Sequence, residues 1–474
     1  MKNNKPKYFF FLVATILLGN AYADEESPSR ISDEAIPLQL ETFPERPSPI
    51  LELGDPFFDH GKISQGYLLP TGAVWQPSFV MWGDIRNAVQ TVDPSLDKSD
   101  NRTSEVASRV DLFGNLSLTS TERILIGVRP VDQDGRFTRY TLDNPSGDTH
   151  EDRGFHDEFN FEPTLLFFEG DFGELFPILD PRDQYGLDFG FSVGRQTIAW
   201  QDGMLINDRI DSIGISKINL KPSMAVNYRS TLLYAWNELN RNRLLKKDSS
   251  SSLFGWSNEI DFKETTAEFD IVYVDGDLES GDGIFSGLGF THRLYSFNHT
   301  FRVLGSHGLG EGTDNNQDGA LLFNELSMDL EGTHDYVYLD SFYGIDQFRS
   351  ASRAPEFGGP LGGTGVLFAS LGLGRYGAAL NNQADDAFGS ALGYQIFFND
   401  RRQQILVEVG GRYAVEDIGQ RAVASGVSFQ TAVGQRNVLR FDTFTRYGDE
   451  RLKAGTSQDN AFGVGARLEW MLRL

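Results

Sequence analysis

Ala461-Phe-Gly-Val-Gly-Ala-Arg-Leu-Glu-Trp-Met-Leu-Arg-Leu474 closes the chain. Phe462, Val464, Ala466, Leu468, Trp470, Leu472 and Leu474 fall on one face at a spacing of two. Gly463, Gly465, Arg467, Glu469, Met471 and Arg473 fall on the other. A period of two held over that length is a β-strand with one apolar and one polar face. The pattern recurs upstream. Val106, Val110, Leu112, Leu116 and Leu118 oppose Arg109, Asp111 and Asn115. Phe254, Trp256, Ile260 and Phe262 oppose Ser257, Glu259, Asp261 and Lys263. In a soluble sandwich the apolar face hides in a core. Here charges recur on the polar face of strand after strand, at the depth where a bilayer-spanning strand would be crossing. The reading is a transmembrane antiparallel up-and-down β-barrel, lipid outside and water inside, because only closure satisfies every backbone group in a membrane.

Extending the alternation along the chain predicts about 18 strands (16–18), each long enough to cross a bilayer when tilted. They are expected at 78–93, 104–119, 122–141, 158–172, 187–201, 207–219, 223–236, 252–264, 266–276, 284–296, 299–309, 319–332, 335–345, 387–398, 403–415, 421–433, 436–447 and 460–474. Short turns (263–266, 295–299, 332–335, 399–402, 434–436) alternate with mostly longer, Asp/Gly/Asn/Ser-rich loops (237–251, 275–283, 309–318, 346–386, 448–459). That asymmetry separates periplasmic turns from extracellular loops and leaves both termini on the periplasmic side. Two connections break it: 173–186 is long on the short side, and 202–206 is short on the other.

Composition narrows the functional classes. The chain has 474 residues, no cysteine, 67 acidic against 42 basic residues and a net charge of −25. Missing cysteine removes disulfides, thiolate metal sites and cysteine nucleophiles. The acidic balance argues against nucleic-acid binding. Residues 1–23 carry a basic start (Lys2, Lys5, Lys7), an apolar run from Phe9 to Leu18 and the small-x-small site Ala21-Tyr22-Ala23, the marks of a cleaved signal peptide. Residues 24–72 are proline-rich and are expected to form an N-terminal periplasmic extension outside the sheet. The barrel is expected over 73–474.

The segment from Phe191 to Asp211 contains Gly194-Arg195-Gln196 and, further on, Arg209-Ile210-Asp211, preceded by Phe168-Glu169-Gly170-Asp171. It resembles the G-R-Q and R-x-D region of alginate-export-type outer-membrane porins, over about 45 residues. The resemblance implies a passive barrel in a Gram-negative outer membrane and marks Gly194, Arg195, Gln196, Arg209 and Asp211 as its motif residues.

Three further features are candidates for function. Asp314-x-Asn316-x-Asp318-Gly319-x₅-Glu325 has the oxygen-ligand spacing of a calcium loop, so a structural Ca²⁺ is expected in an extracellular loop. Loop 346–386 is too long for an ordinary connection; it is expected to fold inward and constrict the lumen with Arg349, Arg353 and Arg375. Parity also sorts the lumenal charges. Arg86, Arg109, Arg129, Arg412, Arg440, Arg446, Arg467 and Arg473 come from strands near the closure. Glu169, Asp171, Glu259, Asp261 and Asp270 come from the middle of the chain. Closing the barrel should set a basic wall against an acidic one. Trp82, Trp200, Trp236, Trp256 and Trp470 read as interfacial anchors.

No catalytic constellation is present, and no cofactor is required. The expected function is a channel for passive diffusion of small hydrophilic solutes, anionic ones included, or saccharides. The other reading is a non-conducting binding or scaffold barrel of an envelope complex. Expected partners are outer-membrane lipid and lipopolysaccharide, the barrel-assembly machinery and a small hydrophilic solute, with no nucleic acid. The oligomeric state is left open.

Overall fold

A computed structural model describes residues 47–54, 65–96, 102–133, 135–143, 153–182, 184–241, 248–277, 280–309, 316–416, 419–451 and 457–474. The signal-peptide segment and Asp314 lie outside the described residues.

Alternating sequence becomes alternating environment. Phe254 and Trp256 point outward and are 51 % and 43 % exposed, while Leu253 between the strands' inner neighbours is fully buried. Outward apolar side chains with no protein against them form a lipid-facing band. The wall is a closed antiparallel barrel of 18 strands. They are β1 Ser78–Asp93, β2 Thr103–Ser117, β3 in two pieces (Arg123–Val128 and Arg136–Asp143), β4 also in two (Gly154–His156 and Pro163–Asp171), β5 Phe189–Trp200 and β6 Ile206–Leu220. Then follow β7 Asn227–Trp236, β8 Ser252–Asp261, β9 Thr265–Asp275, β10 Asp282–Leu294, β11 Phe297–Leu309 and β12 Gly319–Asp329. The last six are β13 Tyr336–Asp346, β14 Ala387–Phe398, β15 Gln403–Ala414, β16 Gly419–Val433, β17 Asn437–Arg451 and β18 Ser457–Arg473. Closure joins β18 to β1 in the register Arg467↔Gln90 and Glu469↔Ala88. Every expected strand is present.

The two irregular connections have separate causes. The long turn after β4 holds a four-residue helix, Phe172–Leu175, whose N-terminus is capped by Asp171, and a 3₁₀ turn, Pro177–Leu179. The latter meets the N-terminal segment, with the Ile178 amide donating to the Thr71 carbonyl at 3.2 Å. The short connection between β5 and β6 is short because it is not on the surface. β5 leaves β4 at Arg195, opposite Leu166. β6 joins β7 only from Asp211 downward, opposite Trp236. Between those points residues 196–210 remain paired to each other as a two-stranded ribbon that has left the wall. Gly194 makes the departure possible: its φ is +124°, and a Cβ there would sit 2.2 Å from the Leu166 carbonyl oxygen.

The ribbon bends into the lumen. A Cβ on Gly255 of β8 would sit 2.5 Å from the Trp200 ring, so Trp200 packs inside the barrel and is not an interfacial anchor, contrary to the sequence expectation. Its tip, Met204 to Ile206, is buried with Leu253, Val272, Phe285 and Leu304 of the inner wall. The proline-rich extension contributes one three-residue piece to the sheet. Leu51–Leu53 pairs with Phe79–Met81 of β1, continuing the seam below the point where β18 ends.

Candidate functional site

The lumen is narrowed from two sides, and the two obstacles hold each other. After β13 the chain runs inward. Ser352–Arg353 forms a short parallel bridge with Ile206–Asn207 of the ribbon. The Ala351 and Ala354 amides donate to the Leu205 and Asn207 carbonyls, both at 2.9 Å. Phe348, Leu361, Leu367 and Phe368 of the loop are buried, and Phe368 meets Phe342 of β13 edge-on at 5.5 Å. An apolar core therefore lies inside the barrel. Residues 366–371 form no additional strand.

Beyond that core the loop reaches the arginine-bearing strands. Arg86 donates to the Leu371 carbonyl at 3.3 Å and Arg109 to the Gly372 carbonyl at 3.0 Å. Arg412 donates to the Asn381 and Gln383 carbonyls at 3.0 and 2.5 Å, and Arg446 to the Ala379 carbonyl at 3.4 Å. Carbonyls left exposed by an irregular segment need donors when buried. The guanidinium fork supplies several from one rigid group.

The register turns all eight predicted arginines toward the lumen, but few are bare. Arg86 pairs with Glu469 at 2.5 Å, Arg109 with Asp111 at 2.6 Å, Arg129 with Asp111 at 2.6 Å and Arg440 with Asp442 at 2.9 Å. Arg467, fully buried, lies between Asp442 and Glu469. Arg473 is exposed at the end of β18. The basic wall expected from the sequence is thus an alternating Arg–carboxylate lattice, with the loop's carbonyls on top of it.

Two of the predicted loop arginines, Arg349 and Arg353, are buried fasteners, and Arg375 is exposed. Arg349 is held by Asp385 and by the Gln347 side chain at 3.0 Å. Arg353 donates only to carbonyls, those of Gly203, Phe357 and Gly358, and burial lowers its guanidinium to about 10. Arg375 reaches Glu105 at 2.9 Å. The motif residues sit where the ribbon leaves the wall. Arg195 clamps Asp211 bidentately at 2.9 and 3.1 Å and also donates to the Pro163 carbonyl at 3.2 Å. Gln196 donates to Ser212 at 2.9 Å, and Arg209 pairs with Glu356.

Among the predicted acids, Asp171 is spent on its helix cap. Glu169 pairs with Arg123 at 2.5 Å and Glu259 with Arg229 at 2.8 Å. Asp261 accepts from Thr266 at 2.8 Å, and Asp270 accepts from Gln201 of the ribbon tip at 2.6 Å. The calcium-loop residues are not brought together. Asn316 donates to the Asp282 carbonyl, and Asp318 accepts from the Gly308 amide at 3.0 Å and faces His307 at 2.9 Å. Glu325 lies within β12, and at strand rise the seven-residue separation from Asp318 is about 23 Å.

Parity puts Glu408 on the lumen face, but sequence reasoning did not show which carboxylates anchor the loop. Glu356, 8 % exposed, joins Arg129 at 3.0 Å and Arg209. Burial alone would raise its carboxyl; the two guanidiniums outweigh burial and hold it at about 2. Glu408 accepts from Tyr338 at 2.8 Å and from the Val366 amide. Glu105 and Glu408 were within reach of the same parity count; Glu356, in an irregular turn, carried no such signal.

No family model matches the chain, and no curated protein matches it. Among solved structures it resembles Pseudomonas aeruginosa OccK2 (OpdF), with a TM-score of 0.54 at 9 % identity, covering 83 % of this chain and 98 % of that one. A BenF-like porin from Pseudomonas fluorescens Pf-5 gives 0.53 at 9 %, covering 84 % and 99 %. Pseudomonas aeruginosa OccK5 (OpdH) gives 0.51 at 11 %, covering 84 % and 98 %. At these identities the likeness is one of fold.

Proposed function

We propose that the protein is an outer-membrane channel through which small hydrophilic solutes diffuse passively. The observation that carries this reading is the lumen: a closed wall with an apolar exterior, narrowed by an inward loop and ribbon that are tethered to charged strands. A barrel built only to be filled needs no graded charge around such a constriction, whereas a channel uses it to replace part of a solute's hydration. The porin-type neighbours are consistent with the same activity. The lattice of paired arginines gives anions only carbonyl-shared donors to meet.

The test is current through a planar bilayer carrying the purified full chain. Discrete conductance steps in potassium chloride are expected. A folded barrel that passes no current would overturn the channel reading. It would favour the scaffold barrel, for which the apolar core inside the lumen is the supporting observation.

A further inference from the structure

Charge compensation is uneven around the lumen. On the arginine-bearing wall Asp111, Asp442 and Glu469 each meet at least two guanidiniums. Further round the wall, Glu325 and Asp329 of β12 and Asp340 of β13 line one cavity of about 480 Å³ with Tyr336, Tyr338 and Gly365. Glu325 and Asp340 are directly opposed across the two strands. Like charges in that position destabilise a sheet unless something lies between them. Among the described residues no ion pair or side-chain hydrogen bond engages any of these three carboxylates. Asp340 is 4 % exposed, and its Oδ1 is buried without a partner. Arg302, whose field reaches Glu325, is already held by Asp202 and Glu268. A buried, unsatisfied carboxylate facing a roomy cavity is costly and calls for a cationic counterpart.

The surroundings indicate what kind of cation. Among the described residues no group of three or more His, Asp or Glu could hold a metal ion, so the acids do not converge on a point. They are spread over two strands beside aromatic faces. The Tyr336 and Tyr338 ring centroids are 6.0 Å apart. Tyr338 lies flat over Gly393, where a Cβ would sit 2.1 Å from its ring, and its hydroxyl donates to Glu408. Glu408 in turn accepts from the Val366 amide, so the inward loop closes one side of the cavity. A planar guanidinium can bridge two separated carboxylates through its fork, and an organic ammonium can rest on an aromatic face.

We propose that this cavity is a subsite for the cationic end, guanidinium or ammonium, of a permeating solute. The proposal rests on the channel reading and deepens it: the solute carries a positive charge at one end, and the field at this cavity is negative. The probe is guanidinium chloride added during single-channel recording. In the wild type, millimolar guanidinium should interrupt the potassium chloride current. Combining Glu325→Gln with Asp340→Asn should weaken that block about ten-fold. The same pair should move the reversal potential in a salt gradient toward anions, while open-channel steps persist. Tyr336→Leu should weaken the block with no change in reversal potential, since it removes a ring and no charge. Equal block in wild type and double variant, with currents intact, would overturn the subsite and leave the channel reading standing. If no variant conducts, the channel reading falls, and calorimetric titration of guanidinium into the detergent-solubilised full chain decides the subsite by itself. Binding lost in the double variant would support it, and no binding to the wild type would end it.

Discussion

Glu356 shows how one side chain can hold a constriction in place. It lies in a turn of the inward loop, buried, between Arg129 of the β3 excursion and Arg209 of the ribbon. Its loss removes one anchor from each of three elements, and a broken buried pair costs about 3–5 kcal/mol because Arg209 is left without a carboxylate, while Arg129 keeps Asp111 and Asp132. The carboxyl is depressed to about 2, so the clamp's contribution is complete above the ordinary glutamate value and fades only as pH falls through about 2. Open-channel conductance should therefore be flat between pH 7 and 4 as far as this clamp governs it. Glu356→Gln should raise conductance or its noise throughout that range. A wild-type conductance that climbs steeply between pH 6 and 4 would assign the constriction's hold to other groups. Gly194 acts at the same scale by geometry alone: φ of +124° and no side chain are what let β5 turn away from β4.

At the level of elements, loop and ribbon are one assembly. Backbone hydrogen bonds stitch Ala351, Arg353 and Ala354 to the ribbon and its neighbour Asn240. Arginine-to-carbonyl bonds fasten the other end to β1, β2, β15 and β17. Excising residues 356–383, with a short Gly-Ser connection, removes the part that crosses the lumen and leaves the bridge at Ser352–Arg353. Single-channel conductance should rise several-fold, while the heat-modifiable mobility of the folded barrel is retained. Unchanged conductance with a folded barrel would mean that the ion path does not pass the loop. The alternation of short turns and long loops identified this loop as abnormal by length. It identified the β5–β6 connection only as too short. A hairpin that leaves its sheet keeps the period of two, so nothing in local sequence distinguishes it from a wall strand.

Across the whole molecule, two faces obey different rules. Val409 on the outer face is 51 % exposed to the lipid side, and Glu408 next to it is fully buried against the loop. Val409→Arg should destabilise the barrel in vesicles by about 2–4 kcal/mol if it sits near the midplane. Ser428→Arg, on the lumen face, should cost less; a larger shift in the denaturant midpoint for Ser428→Arg would reverse the assignment of faces. That assignment, the strand number and most strand ends were legible from the sequence, because a strand's parity is a local property and a membrane makes one parity apolar for the length of the crossing. The inward direction of the arginines followed from the same parity. Pairs two apart on one strand, Arg109–Asp111 and Arg440–Asp442, share that parity. The Arg86–Glu469 pair across the closure and the loop carbonyls did not follow, because they lie hundreds of residues away or in an irregular segment where spacing carries no register. The imbalance of charge came only from the tertiary structure. Counting residues put basic groups on one wall and acids on the other, but only the structure shows that Asp111, Asp442 and Glu469 of the first wall are engaged by guanidiniums while Glu325, Asp329 and Asp340 have no cation paired with them among the described residues. Net field depends on which charges meet, and only closure and the loop's descent decide that.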